Sequence, residues 1–421
     1  MVVKIFRSSL KGRVEIPSSK SQVIRSVICA GLAKGVTQIK NASLPEDVEV
    51  AINAMVNLGA NISISKEKDA NIYSLTITGG QYCNLTDANI NCKQSATVFR
   101  FLLSLCAVLE INTTFSLDES LIKRPFLELT NELQKHGLNY IYNLKECKIA
   151  SSGKLSGLDF YLSGNISSQY VSGLLISLPL MQTKTNKIAT VNLTSKLQSQ
   201  QYVDMTIAIL EKFNIKILKD KNKFLVPTNQ KFESTTINPD GDYSLGANFL
   251  VAKNLNSPNL KISNLNSKSL QGDKIIEDII NKIETSPDIK EIKIDATNCI
   301  DLVPILVVLM VYKKINAQIH NIERLKIKES NRLEAICQQL KKMGAKIKYN
   351  ENQIFINGNG KLKGGAFLDG YNDHRIIMAL AIAGLMCNAP IMISDAEAVS
   401  KSYPEFWQVL KQLGAKFEIL K

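Results

Sequence analysis

Two stretches settle the architecture: Leu340-Lys-Lys-Met-Gly344-Ala-Lys-Ile-Lys348 and, near the end of the chain, Leu410-Lys-Gln-Leu-Gly414-Ala-Lys-Phe-Glu418. Each reads as the last turn of an amphipathic helix, a glycine able to take the left-handed conformation that stops it, and a strand of alternating polarity. The same signature occurs around Gly59 (Ala54 to Ile64), around Gly137 (Glu132 to Ile141), and from Leu210 to Leu218, where Asn214 stands in for glycine. The five stops are spaced 78, 77, 130 and 70 residues apart. The long interval is about two repeats, and a degenerate copy occupies it near Ile279 to Ile283, ahead of the strand Glu291 to Ile294. Six units of about 70 residues fill the 421-residue chain. That period exceeds the roughly 20–50 residues of solenoid repeats. An α/β fold of two groups of three helix–strand units is expected rather than an open array.

Length points the same way, because 421 residues are too many for one ordinary core. With 45% hydrophobic and 21% charged residues the composition is that of a globular protein, not a disordered one. The most apolar run, Leu302 to Val311, is too short to span a bilayer, and the N-terminus lacks the apolar block of a secretory signal. A cytoplasmic location with no membrane partner is the expectation. The eight cysteines (29, 83, 92, 106, 147, 299, 337, 387) form no Cys-x-x-Cys and are expected as buried thiols. The three histidines (136, 320, 374) lack metal-ligand spacing, so no metal is expected.

The formal charge of +13 is partly solvated, as in Lys219-Asp-Lys-Asn-Lys223, and partly gathered into short motifs at helix starts. Pro17-Ser-Ser-Lys20-Ser21 with Arg25 puts a hydroxyl, an ammonium and backbone N–H groups at one helix end, an arrangement suited to phosphate. Lys93-Gln-Ser-Ala96-Thr97-Val-Phe-Arg100 precedes the apolar run Phe101 to Leu109, and Lys123-Arg124-Pro125 reads as the start of the helix carrying Phe126, Leu129 and Leu133. Gly164-Asn-Ile-Ser167-Ser168-Gln169-Tyr170 offers hydroxyls and an amide before another apolar helix. In Lys326-Ile-Lys328-Glu329-Ser-Asn-Arg332 two cations sit at i and i+4. Tyr371-Asn-Asp-His374-Arg375 places a cation beside the positive end of a helix, which calls for an anionic partner. Ser400-Lys401-Ser-Tyr-Pro404 precedes the last helix. Any one of these is an ordinary capped helix. Seven together imply that the repeats aim their helix N-termini at one cleft holding anionic substrates.

In order along the chain, Ser19-Lys20-Ser21 with Arg25, Arg124-Pro125, Ser167-Ser168-Gln169, Lys328-Glu329 with Arg332, Asn372-Asp-His374-Arg375 and Lys401-Ser-Tyr-Pro404 resemble the enolpyruvyl transferases. The likeness covers essentially the whole chain and is to the branch that uses shikimate 3-phosphate. It implies two inside-out α/β barrel domains, each of three βαβαββ repeats, with the active site between them. The domains would be 18–231 and 1–17 plus 232–421. It also implies transfer of the enolpyruvyl group of phosphoenolpyruvate to the 5-hydroxyl of shikimate 3-phosphate, by a monomer without cofactors. Because cations lining an open cleft come together only when a ligand neutralises them, closure on the substrates is expected as well. Carried over by position, shikimate 3-phosphate would meet Lys20, Ser21, Arg25, Ser167, Ser168, Gln169, Ser199, Tyr202, Arg324 and Lys328. Phosphoenolpyruvate would meet Lys20, Ala96, Arg124, Gln169, Arg332, Arg375 and Lys401. Asp301 would bind the substrate hydroxyls and shuttle the proton, with Glu329, His374 and Lys20 as the other catalytic candidates.

The sister branch acting on UDP-N-acetylglucosamine commonly carries a reactive Cys five residues before the Arg of Arg-Pro, where this chain has Glu119. A nucleic-acid binder would want aromatics among the basic motifs, yet aromatics make up only 6%. Ser18, Gln94 and Arg324 stand where the family usually has Gly, Asn and Asn. Ala96 stands where it usually has Gly against the phosphoenolpyruvate pocket, and the added methyl should crowd a ligand longer than phosphoenolpyruvate. Weak inhibition by glyphosate is therefore predicted; potent inhibition competitive with phosphoenolpyruvate, in a steady-state assay, would contradict it.

Overall fold

In a computed structural model the chain is described over residues 1–67, 72–286 and 288–420, and the side chain of Cys83 lies outside the described residues. It forms two compact units, Ser18–Asp240 and Met1–Pro17 with Gly241–Lys421. The expected boundary at 231/232 and the observed one at 240/241 differ by a segment whose strand Thr236–Ile237 pairs with Gly35–Ala42. That ladder ties residues 232–240 to the unit they follow.

Among the described residues each unit holds three sheets. In Ser18–Asp240 all three are four-stranded and alike. Asp87–Lys93 runs parallel to Asn112–Leu117, which pairs antiparallel with Lys148–Gly153 and through it with the hairpin partner Leu138–Asn143. Asp159–Leu162, Ile188–Leu193, Lys223–Pro227 and Leu218–Asp220 repeat that order. The remaining sheet, Thr236–Ile237, Gly35–Ala42, Tyr73–Gly79 and Asn61–Lys66, borrows its first strand from the far end of the segment. In the first two of these sheets the parallel pair needs a crossover, which Ala96–Val108 and Ser168–Ser177 supply.

The other unit repeats the pattern in Glu291–Asp295, Asn316–His320, Gln353–Asn357 and Lys346–Tyr349. It repeats it again in Phe367–Leu368, Ile391–Ile393, Val2–Phe6 and Lys416–Leu420, where the first strand of the chain closes the sheet. Its third sheet is reduced to Gly12–Glu15 beside Leu260–Ser263. The degenerate copy near Ile279 is accordingly the helix Ile275–Thr285, and the strand after it opens the next sheet instead of completing its own.

Helices carry each core. Ala96–Val108 is buried at every position but Thr97, and Ser168–Ser177 at every position but Gln169. Val303–Tyr312 and His374–Gly384 are nearly as enclosed. Helices apolar on all faces must be packed on all sides. Gly173 makes one such packing possible, because a Cβ there would lie 2.9 Å from the carbonyl oxygen of Arg100. The strands bury alternate residues and leave the others outward, as in Asp87–Lys93 and Glu291–Asp295. Among the described side chains six cysteines are buried thiols and Cys147 is half-buried.

All five helix stops read from the sequence take positive φ: Gly59 (90°), Gly137 (107°), Asn214 (62°), Gly344 (94°) and Gly414 (93°). At Gly344 an added Cβ would meet only the flexible Lys363 side chain, at 3.4 Å, so the backbone conformation itself is what excludes a side chain. Gly344→Ala should lower stability in urea denaturation by about 1–2 kcal/mol, whereas Asn214→Gly should change it by less than about 0.5 kcal/mol.

Candidate active site

In the unit Ser18–Asp240 the candidate residues, Arg124 excepted, sit in the first turns of four helices. Lys20 opens Lys20–Leu32, and its Nζ lies 2.7 Å from Asp47 Oδ2. Arg25, one turn on, is 2% exposed. Its Nε donates to Thr206 Oγ1 at 2.7 Å, and its two Nη atoms donate to the carbonyls of Ser21 (2.9 Å) and Tyr202 (3.3 Å). The Phe101 and Tyr202 rings lie 5.0 and 5.9 Å from the guanidinium carbon. These acceptors are neutral, and burial lowers the Arg25 pKa to about 10. A cation so placed favours an incoming anion.

Ala96 is buried at the first position of Ala96–Val108, which starts five residues before the run read from the sequence. Ser167 caps Ser168–Ser177, and its Oγ accepts from the Gln169 backbone N–H. Ser199 precedes Gln200–Lys212 in a left-handed conformation (φ 54°), three residues before Tyr202, whose carbonyl accepts from Arg25. The Arg124-Pro125 reading needs correction. The helix there is Leu127–Lys135, so Pro125 lies before its first turn, and its carbonyl instead accepts from Arg100 (2.7 Å) and Tyr170 (2.7 Å).

In the other unit the candidates converge on one carboxylate. Asp301 sits in the short turn Ile300–Leu302, just ahead of the buried helix Val303–Tyr312. Its Oδ1 lies 3.1 Å from Lys328 Nζ, 2.7 Å from Arg332 Nη1 and 3.7 Å from Arg375 Nε. Burial alone would raise its pKa, but Lys328, Arg375 and Arg332 together hold it well below the usual carboxylate range. Burial pushes Lys328 down to about 8 although Asp301 opposes this. Although spaced i and i+4, Lys328 and Arg332 do not lie on one helix. Lys328 is extended and ends the turn Glu323–Ile327, while Arg332 starts Arg332–Lys342.

Arg332, 1% exposed, is surrounded by acids. It donates to Glu329 Oε2 at 2.5 Å, and to Asp373 Oδ2 at 2.8 Å and Oδ1 at 3.2 Å. Burial opposes its charge, yet Asp373, Glu329 and Asp301 raise its pKa above the ordinary value. Asp373 is fully buried, caps His374–Gly384 through the Arg375 N–H (3.0 Å), and accepts from Ser330 Oγ (2.9 Å). The anionic partner that a cation at this helix start calls for is Asp301, which the Arg375 guanidinium faces. Lys401 Nζ reaches the Asn372 carbonyl at 2.5 Å, and Arg324 Nη2 donates to the Thr297 carbonyl at 2.7 Å. No group of three or more His, Cys, Asp or Glu side chains able to hold a metal occurs among the described residues. A groove of about 630 Å³ on the outward face of the sheet containing Asp87–Lys93 includes none of the candidates.

The sequence reading passed over Arg100, Asp373, Asp47, Asp273 and Ser244. The first two lie inside quoted motifs, and an Asp before an apolar helix is a recognisable cap. Asp273 has no such signal. It is buried, accepts from the Ser244 hydroxyl, and lies in the field of Arg375, Asp301 and Asp242. Burial raises its pKa to about 7, Arg375 and Ser244 pull it down, and the other two acids push it up. A carboxyl raised on folding contributes stability that is complete below its unfolded pKa of about 4 and is lost as pH rises through the folded value. Asp273→Asn should therefore gain on wild type between pH 4 and 8 in urea midpoints; parallel profiles would exclude the shift.

A family profile described as EPSP synthase (3-phosphoshikimate 1-carboxyvinyltransferase) matches residues 6–410. Proteins named 3-phosphoshikimate 1-carboxyvinyltransferase from Clostridium novyi (strain NT) and Clostridium acetobutylicum are each 39% identical to the chain, over 428 and 424 residues. Both alignments cover 98% of this chain and 97% of the relative. Among solved structures, EPSP synthase from Acinetobacter baumannii superposes with a TM-score of 0.80 at 22% identity over 100% of both chains. The enolpyruvyl transferase NikO from Streptomyces tendae gives 0.76 at 14% identity, covering 99% of this chain and 98% of its own. These two show the mixed α/β fold. The full-length relatives show more: the chain belongs to the EPSP synthase family and has its activity, 3-phosphoshikimate 1-carboxyvinyl transfer in the shikimate pathway.

Proposed function

We propose that the candidate residues of both units act on one substrate pair, phosphoenolpyruvate and shikimate 3-phosphate, and that Asp301 is the base whose strength the substrates control. The observation that carries this is the meeting of Lys328, Arg332 and Arg375 on a single Asp301 oxygen. Held that way the carboxylate is a poor proton acceptor. The phosphate and carboxylate of phosphoenolpyruvate compete for the same cations, and drawing them off Asp301 returns basicity when substrate is present.

The reaction follows in two balanced steps. The 5-hydroxyl oxygen bonds to C2 of phosphoenolpyruvate, its proton passes to Asp301, and C3 takes a proton. From the tetrahedral intermediate the C2–O bond to phosphate breaks as C3 returns a proton, giving the enolpyruvyl ether. Glu329, His374 and Lys20 are the acid and base candidates at C3. Arg124, Arg332, Arg375, Lys401 and Lys20 stabilise charge on the departing phosphate as fixed cations. Arg25 and the hydroxyls of Ser21, Ser167, Ser168 and Ser199 take shikimate 3-phosphate, with Gln169 between the two ligands, Tyr202 alongside, and Arg324 and Lys328 completing the set.

The finer architecture in this reading is the inside-out barrel, with three βαβαββ repeats per unit. It is supported by enclosed helices and by the recurring strand order within each unit. The enzyme works as a cytoplasmic monomer; among the described residues no helix is long and apolar enough to cross a membrane.

Phosphate release with both substrates present tests the assignment. Asp301→Ala should lower kcat by about 10²–10⁴-fold, as expected for removal of a general base. Full turnover by that variant would remove Asp301 from the mechanism.

A further inference from the structure

Arg100 is 5% exposed and lies under the start of Ser168–Ser177. One Nη1 serves two acceptors there, Gln169 Oε1 at 2.6 Å and Ser167 Oγ at 3.3 Å, while Nη2 holds the Pro125 carbonyl at 2.7 Å. The guanidinium also lies 5.3 Å from the Tyr170 ring. Arginine has five donors and no acceptor, so every group it touches in this way must present an oxygen lone pair.

That constraint propagates. With Oε1 held by Arg100, the Gln169 amide has one orientation, and its Nε2 faces Thr97 Oγ1 at 2.8 Å as donor. Thr97 is thereby an acceptor on its inner side, which leaves its hydroxyl proton to point elsewhere. Ser167 Oγ accepts twice, from Arg100 and from the Gln169 backbone N–H, and its proton is likewise left over. Among the described residues neither hydroxyl, nor the second Gln169 amide N–H, has an acceptor. Thr97 and Gln169 are both half-buried, the only positions of their helices that are not fully buried.

We propose that Arg100 is a positioning residue that sets hydrogen-bond polarity: it turns Ser167, Thr97 and Gln169 into a cradle of three outward donors for an anionic oxygen group, with Thr97 a ligand contact. The proposal rests on the reading that puts Gln169 at the substrates. Arg100 itself need touch no ligand. It acts by removing the alternative in which the amide or either hydroxyl offers a lone pair to a phosphate or carboxylate, an arrangement that would repel the anion.

The test is steady-state kinetics with phosphoenolpyruvate and shikimate 3-phosphate, together with calorimetric titration of each ligand and thermal unfolding. Gln169→Glu keeps an oxygen for Arg100 but replaces the outward donor by an acceptor. It should unfold no earlier than wild type and raise KM for at least one substrate roughly a hundredfold. Thr97→Val should raise the same KM about tenfold with kcat changed far less, and Thr97→Ser should restore it. Arg100→Leu should raise KM at least as much as Thr97→Val. Wild-type KM and titrated affinities in folded Gln169→Glu and Thr97→Val would overturn the proposal, and these two decide it if Arg100→Leu does not fold. Failure of wild type to bind either substrate would instead overturn the site reading on which the proposal rests.

Discussion

A guanidinium taken out of water must be given acceptors, and Arg25, Arg100 and Arg332 each organise the candidate residues of their own unit through that demand. Arg25, Arg100 and Arg332 are 2%, 5% and 1% exposed. Each is met differently. Arg25 has neutral oxygens and aromatic faces, Arg100 an amide, a hydroxyl and a carbonyl, and Arg332 three carboxylates. Desolvating such an ion costs several kcal/mol unless its hydrogen bonds are replaced, so these contacts pin the helix starts that supply them. Arg25 joins Lys20–Leu32 to Gln200–Lys212, and Arg100 joins three chain segments. Arg332 joins its own helix to Asp301 and to the cap of His374–Gly384.

The contrast between the partners also divides the chemistry. Where a buried cation has neutral partners, as Arg25 does, the local field favours a bound anion. Where carboxylates surround it, as at Arg332, charge is already balanced and the carboxylates are held ionised. Asp301 and Asp273 show how position separates two like groups. One faces three cations and stays low; the other, dry beside Ser244, is raised toward neutrality. A site with acids of different strength in one field can hold and move protons near neutral pH.

Much of the fold was legible because its signals are local. A helix ending in a left-handed residue must use Gly or Asn at little cost, and the repeat was read from Gly59, Gly137, Asn214, Gly344 and Gly414. The candidate motifs were legible for a similar reason, since hydroxyls and cations at helix starts are an unusual pattern. Harder to read were elements that depend on distant partners. Pro125 looked like a helix start and proved to be a carbonyl acceptor for Arg100 and Tyr170. Thr236–Ile237 looked like part of one unit and pairs within the other, and the third sheet of the second unit keeps only two strands.

The amino-acid sequence by itself determined the repeat, the helix starts and the kinds of group gathered there, because capping, periodicity and charge depend on neighbours a few residues apart. The tertiary structure decided which cation meets which acceptor. It put Lys328, Arg332 and Arg375 on one oxygen of Asp301, set Asp373 against the Arg332 guanidinium, and placed Arg100 under Gln169. These pairings join residues 27 to 74 positions apart, or as many as 181 for Arg25 and Thr206. Only burial in a shared core brings such residues within hydrogen-bond reach and removes the water that would otherwise screen them.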